Sequence, residues 1–214
     1  MSDELVFYTN PMSRGRLVRW MLEEVGQPYR TEILEFGTTM KAPAYLAINP
    51  LGKVPALRHG DTIVTEGAAI CAYLADAFPA AGLAPPPGDR LRGPYYRWLF
   101  FAAGPLDHAG TNRELGFEVP SDKRSGVGFS SLPDMLAVLE AALADREYLV
   151  GNSFSAADVY VGMNLYWGIG EGIVEKRPAF ERYVTRLRSR PAAIRAKEID
   201  EALVRERAQD KPKV

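Results

Sequence analysis

The sequence is poor in the residues from which metal and redox sites are built. Its 214 residues include one cysteine, Cys71, and two histidines, His59 and His108. One cysteine cannot form an internal disulfide, a paired redox motif or a thiolate zinc site. We therefore expect no bound metal. Because Cys71 lies in an apolar run, we expect its thiol to be buried and inert.

The chain also lacks an excess of charge and a long hydrophobic run. Lys and Arg number 26 and Asp and Glu 27, giving a net charge of −1. Nucleic-acid binding needs a basic surplus on some face, so nucleic acid is not an expected partner. The longest apolar run, residues 68–75, is far shorter than the ~20 residues that cross a membrane. Residues 1–5 lack a secretory pattern, so we expect a cytoplasmic protein without a membrane partner.

Proline and glycine are concentrated in one stretch, which divides the chain. Five prolines and three glycines lie between residues 79 and 94, a composition that favours a linker over a helix or strand. We predict an N-terminal domain over residues 1–80, a proline-rich linker over 81–94 and a second domain over 95–214. The polar end, residues 211–214, is expected to fray.

The first domain alternates between strand and helix patterns. Apolar runs predict strands at 5–8, 29–34, 54–57 and 62–64, and helical spacing predicts helices at 13–26 and 66–78. The order is βαβ followed by ββα, which is an α/β domain. The first two strands must be parallel through a right-handed crossover, and the hairpin adds antiparallel strands.

The second domain contains only helical patterns. Helices are predicted at 91–103, 132–144, 155–168, 180–187 and 192–204, and Gly104-Pro105 is expected to kink or end the first of them. The helix from Ser155 is apolar on most faces and is therefore expected to be buried. Ser155 and Asp158 have the spacing of a capping box, so we assign both a structural role.

The segment before the third strand holds a proline where a strand should begin. Pro55 removes a ladder hydrogen bond from the strand. A cis peptide would leave the N–H and C=O of Val54 free to pair with an extended ligand. The alternative is an ordinary trans proline on an edge strand, which is by far the commoner situation.

Residues near the predicted hairpin could bind a charged ligand through a helix start and through two lysines. Glu66 and Gly67 precede a helix, where glycine lets backbone amides approach an anion, although simple capping would also explain an acidic residue there. Lys41 and Lys53 lie in predicted loops, where they are either carboxylate ligands or ordinary surface lysines.

Two hydroxyls compete as hydrogen-bond donors to such an anion. Ser13 begins the first predicted helix, where it is either an N-cap or a donor to a ligand held at that helix end. Tyr8, at the end of the first strand, is either a second donor or a core aromatic.

Two motifs and one cap together resemble the cytosolic glutathione S-transferases. Residues 49–57 read NPLGKVPAL, residues 65–74 read TEGAAICAYL, and residues 154–158 read FSAAD, similar to the family's helical capping motif. The resemblance is strong over the first 80 residues and covers the rest by architecture and that cap. It implies a thioredoxin-like N-terminal domain, an all-α C-terminal domain, glutathione as co-substrate and a homodimer.

The resemblance also implies roles for individual residues. It implies a cis Pro55, pairing of Val54 with the cysteinyl part of glutathione, and contacts from Glu66 and Gly67 to the γ-glutamyl end. Lys41 and Lys53 match positions that often meet the glycyl carboxylate. The family usually has Ser where this chain has Gly67, so one hydroxyl contact is missing. Residues 9–16 look more like the serine-type bacterial and theta-like members of the family than like its cysteine types. This resemblance favours Ser13 over Tyr8 as the thiolate stabiliser.

The expected function is that of a glutathione transferase. Such an enzyme binds glutathione, stabilises its thiolate and adds it to a small hydrophobic electrophile, as in detoxification. Two alternatives stay open: a non-catalytic binding or regulatory protein, and an isomerase, dehalogenase or peroxidase that uses glutathione. A thiol–disulfide reductase is disfavoured because no cysteine lies near Ser13.

Overall fold

The computed structural model describes residues 4–209 and divides into two compact units. The first unit comprises residues 4–81 and 189–209, and the second comprises residues 82–188. The fraying expected for residues 211–214 lies outside the described residues.

The first unit is built on a four-stranded mixed sheet. Its strands are β1 Leu5–Thr9, β2 Tyr29–Ile33, β3 Ala56–His59 and β4 Thr62–Thr65. The strand order is β2-β1-β3-β4, with β1 parallel to β2 and β3 antiparallel to both of its neighbours. This topology confirms the predicted βαβ–ββα order. The strand β1 is central in the sheet, and its first three residues are almost fully buried.

Four α-helices belong to this unit. They are α1 Gly15–Val25, α2 Pro43–Leu46, α3 Gly67–Ala77 and α9 Pro191–Gln209. The first helix begins two residues later than predicted, because Arg14 rather than Ser13 occupies the N-cap position. The third strand likewise begins at Ala56 rather than at residue 54, because Pro55 has no N–H to donate to a ladder.

Charge complementarity accompanies the packing of α9 on α1. The Nε of Arg19 donates to Asp200 at 2.6 Å, and both side chains are almost fully buried. Nearer the surface, Arg190 pairs with Glu24 at 2.7 Å. The sequence analysis placed these C-terminal residues in the helical domain, whereas their contacts place α9 in the first unit. The predicted domain boundaries at residues 80 and 95 stay a prediction.

The second unit is helical throughout its regular structure. Its α-helices are α4 Arg92–Phe101, α5 Asp107–Leu115, α6 Leu132–Leu143, α7 Ala156–Gly170 and α8 Pro178–Arg188. A π-helical turn, Ala102–Leu106, carries Pro105 and joins α4 to α5 without a break. The predicted linker overlaps the start of α4, whose first turn contains Pro94. Among residues 4–209, no helix is both long and apolar enough to span a membrane.

The buried helix α7 begins in a dense hydrogen-bonded cap. Ser155 is its N-cap and forms a capping box with Asp158. The carboxylate of Asp158 also accepts from the Leu149 N–H at 2.9 Å and from the Tyr183 hydroxyl at 2.8 Å. Burial raises the pKa of Asp158, and these hydrogen bonds oppose that rise. Asp158 therefore caps α7 and also links that helix start to Leu149 and Tyr183.

Replacing Asp158 should cost more stability than the loss of a helix cap. Asp158→Ala leaves the buried donors of Leu149, Ser155 and Tyr183 without their acceptor, so we expect the free energy of unfolding to fall by at least ~3 kcal/mol. Asp134 is the matched control, because it has the same position in the exposed cap of α6, after Ser131. Urea denaturation should show a clearly smaller loss for Asp134→Ala, and equal losses would contradict this reading of Asp158.

Candidate functional site

The candidate residues come from four segments that leave the same edge of the sheet. The strand registers show this edge: Thr9 is opposite Ile33, Tyr8 opposite Ala56, and Ala56 opposite Thr65. The loops after β1 and β2, the segment before β3 and the turn after β4 therefore start from one side. These segments carry Ser13, Lys41, Val54 with Pro55, and Glu66 with Gly67.

The segment before β3 presents unused backbone groups. The Val54–Pro55 peptide bond is cis, as the resemblance implies. Val54 is half-buried, and among residues 4–209 neither its N–H nor its C=O takes part in a hydrogen bond. One residue thus offers a donor and an acceptor to an extended ligand, in the manner of an added strand.

The carbonyl of Lys53, one residue earlier, is held by two buried side chains. The Tyr45 hydroxyl donates to it at 2.5 Å and the Asn49 Nδ2 at 2.8 Å. Burial raises the pKa of Tyr45 to about 12, so its hydroxyl stays a donor at neutral pH. The sequence analysis assigned no role to Tyr45 or Asn49. The available signals were the place of Asn49 at the start of the 49–57 motif and a tyrosine four residues before it.

The two candidate lysines lie beside this segment with exposed side chains. The Lys41 Nζ donates to the Leu51 carbonyl at 2.9 Å, while the backbone of Lys53 is anchored as described above. The segment around Gly52 approaches the segment around Met40 and Lys41 closely, because residue 52 is a glycine at φ 56. A Cβ at Gly52 would lie 2.5 Å from the Met40 carbonyl oxygen. The exposed Lys41 ammonium is therefore placed beside the segment that leads into Val54, and Lys53 directly precedes Val54 with its side chain exposed.

Glu66 has an unusual backbone conformation. Its φ of 65° makes it the one non-glycine residue with positive φ between residues 4 and 209. It is the N-cap of α3, yet its exposed side chain makes no capping hydrogen bond. Such a conformation costs on the order of 1–3 kcal/mol and is found most often at functional sites. With Gly67 as the first residue of α3, the exposed Glu66 carboxylate adjoins helix-start amides that make no hydrogen bond within residues 4–209.

The two hydroxyl candidates differ in their existing partners. The Ser13 Oγ donates to the Asn10 carbonyl at 2.7 Å and accepts from the Gly15 N–H at 3.0 Å. The ring of Tyr8 lies 5.7 Å from that of Tyr45, and its hydroxyl makes no hydrogen bond within residues 4–209. The Ser13 hydroxyl is thus engaged in the loop, whereas the Tyr8 hydroxyl is not.

The remaining reactive side chains do not assemble into another centre. Within the described residues, no three or more His, Cys, Asp or Glu side chains are grouped to hold a metal ion. Cys71 is fully buried, and burial raises the pKa of its thiol well above the usual range. The structure thus confirms the buried thiol predicted from the sequence.

Comparisons with known proteins identify the family. Residues 12–77 match the glutathione S-transferase N-terminal domain and residues 129–191 the glutathione S-transferase C-terminal domain. A probable glutathione S-transferase, GSTF2, of Oryza sativa subsp. japonica is 30% identical over 186 residues, covering 81% of this chain and 86% of that one. The chain belongs to the glutathione S-transferase family.

The chain is also similar to a solved structure and to a longer protein that has a different name. The structure of a sphingomonad glutathione S-transferase complexed with glutathione matches with a TM-score of 0.75 and 28% identity, covering 92% of this chain and 98% of that one. Elongation factor 1-gamma 3 of Oryza sativa subsp. japonica is 31% identical over 171 residues, covering 75% of this chain. The chain spans 40% of that longer protein.

The backbone of Glu66 provides a test of the site's geometry. Glycine adopts positive φ without penalty, so the free energy of unfolding should be about 1 kcal/mol larger for Glu66→Gly than for Glu66→Ala. Glu66→Gly should therefore unfold at the higher temperature. Both variants lose the same side-chain atoms beyond Cβ, and no capping bond is lost in either. Thermal unfolding of the pair measures the difference. If Glu66→Ala is as stable as Glu66→Gly, residue 66 does not have this backbone conformation in solution.

Proposed function

We propose that this protein is a glutathione transferase that adds the glutathione thiolate to a small hydrophobic electrophile. The observation that carries the proposal is the unpaired N–H and C=O of Val54 at the edge where the other candidate residues converge. The glutathione complex of the sphingomonad relative supports the choice of ligand. The family resemblance further supports a cytoplasmic homodimer with a role in detoxification.

In this proposal glutathione lies along the sheet edge, with its γ-glutamyl end near the negative charge of Glu66 and its glycyl end near the positive charges of Lys41 and Lys53. Its cysteinyl backbone pairs with Val54, as an added strand would. The α-amino group pairs with the exposed carboxylate of Glu66, and the γ-glutamyl carboxylate meets the amides at the start of α3. Lys41 and Lys53 supply positive charge for the glycyl carboxylate. The amide of Gly67 remains available there, although the hydroxyl usual in the family is missing.

The chemical task is to ionise the thiol of glutathione. A free thiol with pKa ~8.5 is only a few per cent thiolate at pH 7, and lowering its pKa by about two units requires about 2.7 kcal/mol. One hydrogen bond from a hydroxyl to the anion contributes roughly 1.5–3 kcal/mol. The thiolate then attacks the electrophilic carbon and forms a C–S bond. The displaced electron pair leaves with a leaving group or takes a proton from water.

Glutathione binding tests the proposal directly. Calorimetry should show binding of glutathione to the unmodified protein, with Glu66→Gln raising the dissociation constant about tenfold or more through loss of a charge-assisted pair. Glu171→Gln is the control, because Glu171 is an exposed glutamate at the end of α7 in the other unit. It should bind glutathione unchanged. No heat from the unmodified protein at millimolar glutathione would rule out the proposed function.

The identity of the thiolate stabiliser is a separate prediction. We expect Ser13→Ala to raise the pKa of the bound thiol by about one unit and to lower turnover at neutral pH about tenfold, because a hydrogen bond to the thiolate is lost. Glutathione affinity should change only a few-fold. Titration of the thiolate's ultraviolet absorbance in the bound complex measures the shift. An unshifted titration in Ser13→Ala beside a shifted one in Tyr8→Phe would assign the role to Tyr8.

A non-catalytic binding module is the second candidate function. The specific observation in its favour is the 31% identity to elongation factor 1-gamma 3, a protein not named as a transferase. Glutathione binding without turnover on a panel of halogenated aromatics, epoxides, enones and peroxides would favour this candidate. Turnover on any of them would favour the transferase or the related chemistries.

A further inference from the structure

Two buried side chains lie directly behind the proposed ligand-binding edge. Tyr45 and Asn49 are each 4% exposed. Both donate to one acceptor, the carbonyl oxygen of Lys53, at 2.5 and 2.8 Å. The side chain of Lys53 itself is exposed, so these donors reach its backbone from the protein interior.

The direction of the next N–H follows from the planarity of the peptide bond. The Lys53 C=O and the Val54 N–H belong to the same peptide group. In a trans peptide these two bonds point in opposite directions, and the cis bond here is the following one, between Val54 and Pro55. Because the carbonyl is fixed toward the buried Tyr45 and Asn49, the Val54 N–H must point away from them. That N–H makes no hydrogen bond within residues 4–209.

Two donors on the Lys53 carbonyl also make the Val54 N–H, at the other end of the same peptide group, a stronger hydrogen-bond donor. Hydrogen bonds polarise one another along a chain, so an accepted bond at C=O makes the N–H of the same group a better donor. A buried backbone N–H without a partner is uncommon in folded proteins, and the N–H of the half-buried Val54 has none within residues 4–209. The arrangement therefore favours a ligand acceptor at Val54 over a purely structural role.

We propose that Tyr45 and Asn49 are positioning residues that orient the Val54 N–H toward the cysteinyl carbonyl of glutathione. The inference rests on the proposed function, since it assigns these residues to the same ligand. They do not touch glutathione, and they act through the Lys53–Val54 peptide. Their contribution is to binding rather than to ionisation of the thiol.

The test compares two tyrosines of the first unit whose hydroxyls donate to different groups. Tyr45→Phe removes the donor to Lys53, and we expect the dissociation constant for glutathione to rise about five- to tenfold. Tyr29→Phe is the matched control. Its half-buried side chain also belongs to the first unit and its hydroxyl donates to Glu23 at 2.7 Å, but Tyr29 begins β2 at the opposite end of the sheet. Tyr29→Phe should bind glutathione as the unmodified protein does.

A second variant and a local readout separate positioning from general loosening. Asn49→Asp keeps the Oδ1 that accepts from the Leu51 N–H but replaces the donor to Lys53 with an acceptor. We expect it to weaken binding more than Tyr45→Phe does. Amide hydrogen exchange should show that glutathione protects the Val54 N–H, and that this protection falls in Tyr45→Phe while the amides of β3 keep theirs. The kcat at saturating glutathione and the pKa of the bound thiol should stay unchanged.

Each possible result decides between the alternatives. If the unmodified protein binds glutathione and Tyr45→Phe binds it within twofold, the inference is wrong and the proposed function stands. If Tyr45→Phe loses protection throughout β3 as well as at Val54, its role is structural and the inference is again wrong. If the unmodified protein does not bind glutathione, both the proposed function and the inference fail.

Discussion

A mixed sheet imposes the constraint on which the candidate site depends. Where an antiparallel strand begins, its neighbours end. The beginning of β3 therefore lies beside the ends of β1 and β4, and β1 ends beside its parallel partner β2. Four segments that are distant in sequence therefore meet at one edge of the sheet, whatever the conformation of the loops. Side chains and backbone groups from all four can then address a single extended ligand.

The same edge carries several features that cost stability. Glu66 has a strained backbone, Pro55 contributes no ladder N–H, and the hydroxyl and amide of Tyr45 and Asn49 must be desolvated. The rest of the unit offsets these costs. The buried apolar core of β1 and α1 is the main source. The buried Arg19–Asp200 pair joins α1 to α9. Removing one partner of such a pair costs about 3–5 kcal/mol, because the other charge is then left buried and unpaired.

Features set by local pattern were predictable from the sequence, and features set by distant contacts were not. The order of strands and helices along the first domain, the cap at Ser155 and Asp158 and the buried Cys71 follow from periodicity and composition. The placement of α9 does not, because its buried pair with α1 joins Arg19 to Asp200, which are 181 positions apart in the sequence. The positive φ of Glu66 also escapes prediction, since it is imposed by the turn from β4 into α3 rather than by the residue. Tyr45 and Asn49 could not be assigned a role from the sequence, because their common acceptor is a backbone carbonyl that only the fold brings to them.

The hydrogen bonds around Ser13 show how a hydroxyl already in use can still serve a thiolate. At rest its hydrogen bonds the Asn10 carbonyl, which also accepts from the Ser13 N–H at 3.0 Å. If the hydroxyl turns to a thiolate, that carbonyl keeps the N–H, and the Ser13 oxygen keeps the bond from the Gly15 N–H. No buried group is left without a partner, so the exchange replaces a neutral hydrogen bond with a charge-assisted one. Since charge-assisted bonds are about twice as strong, the difference favours the thiolate. In the proposed site that difference, rather than the full strength of the new bond, would lower the thiol's pKa.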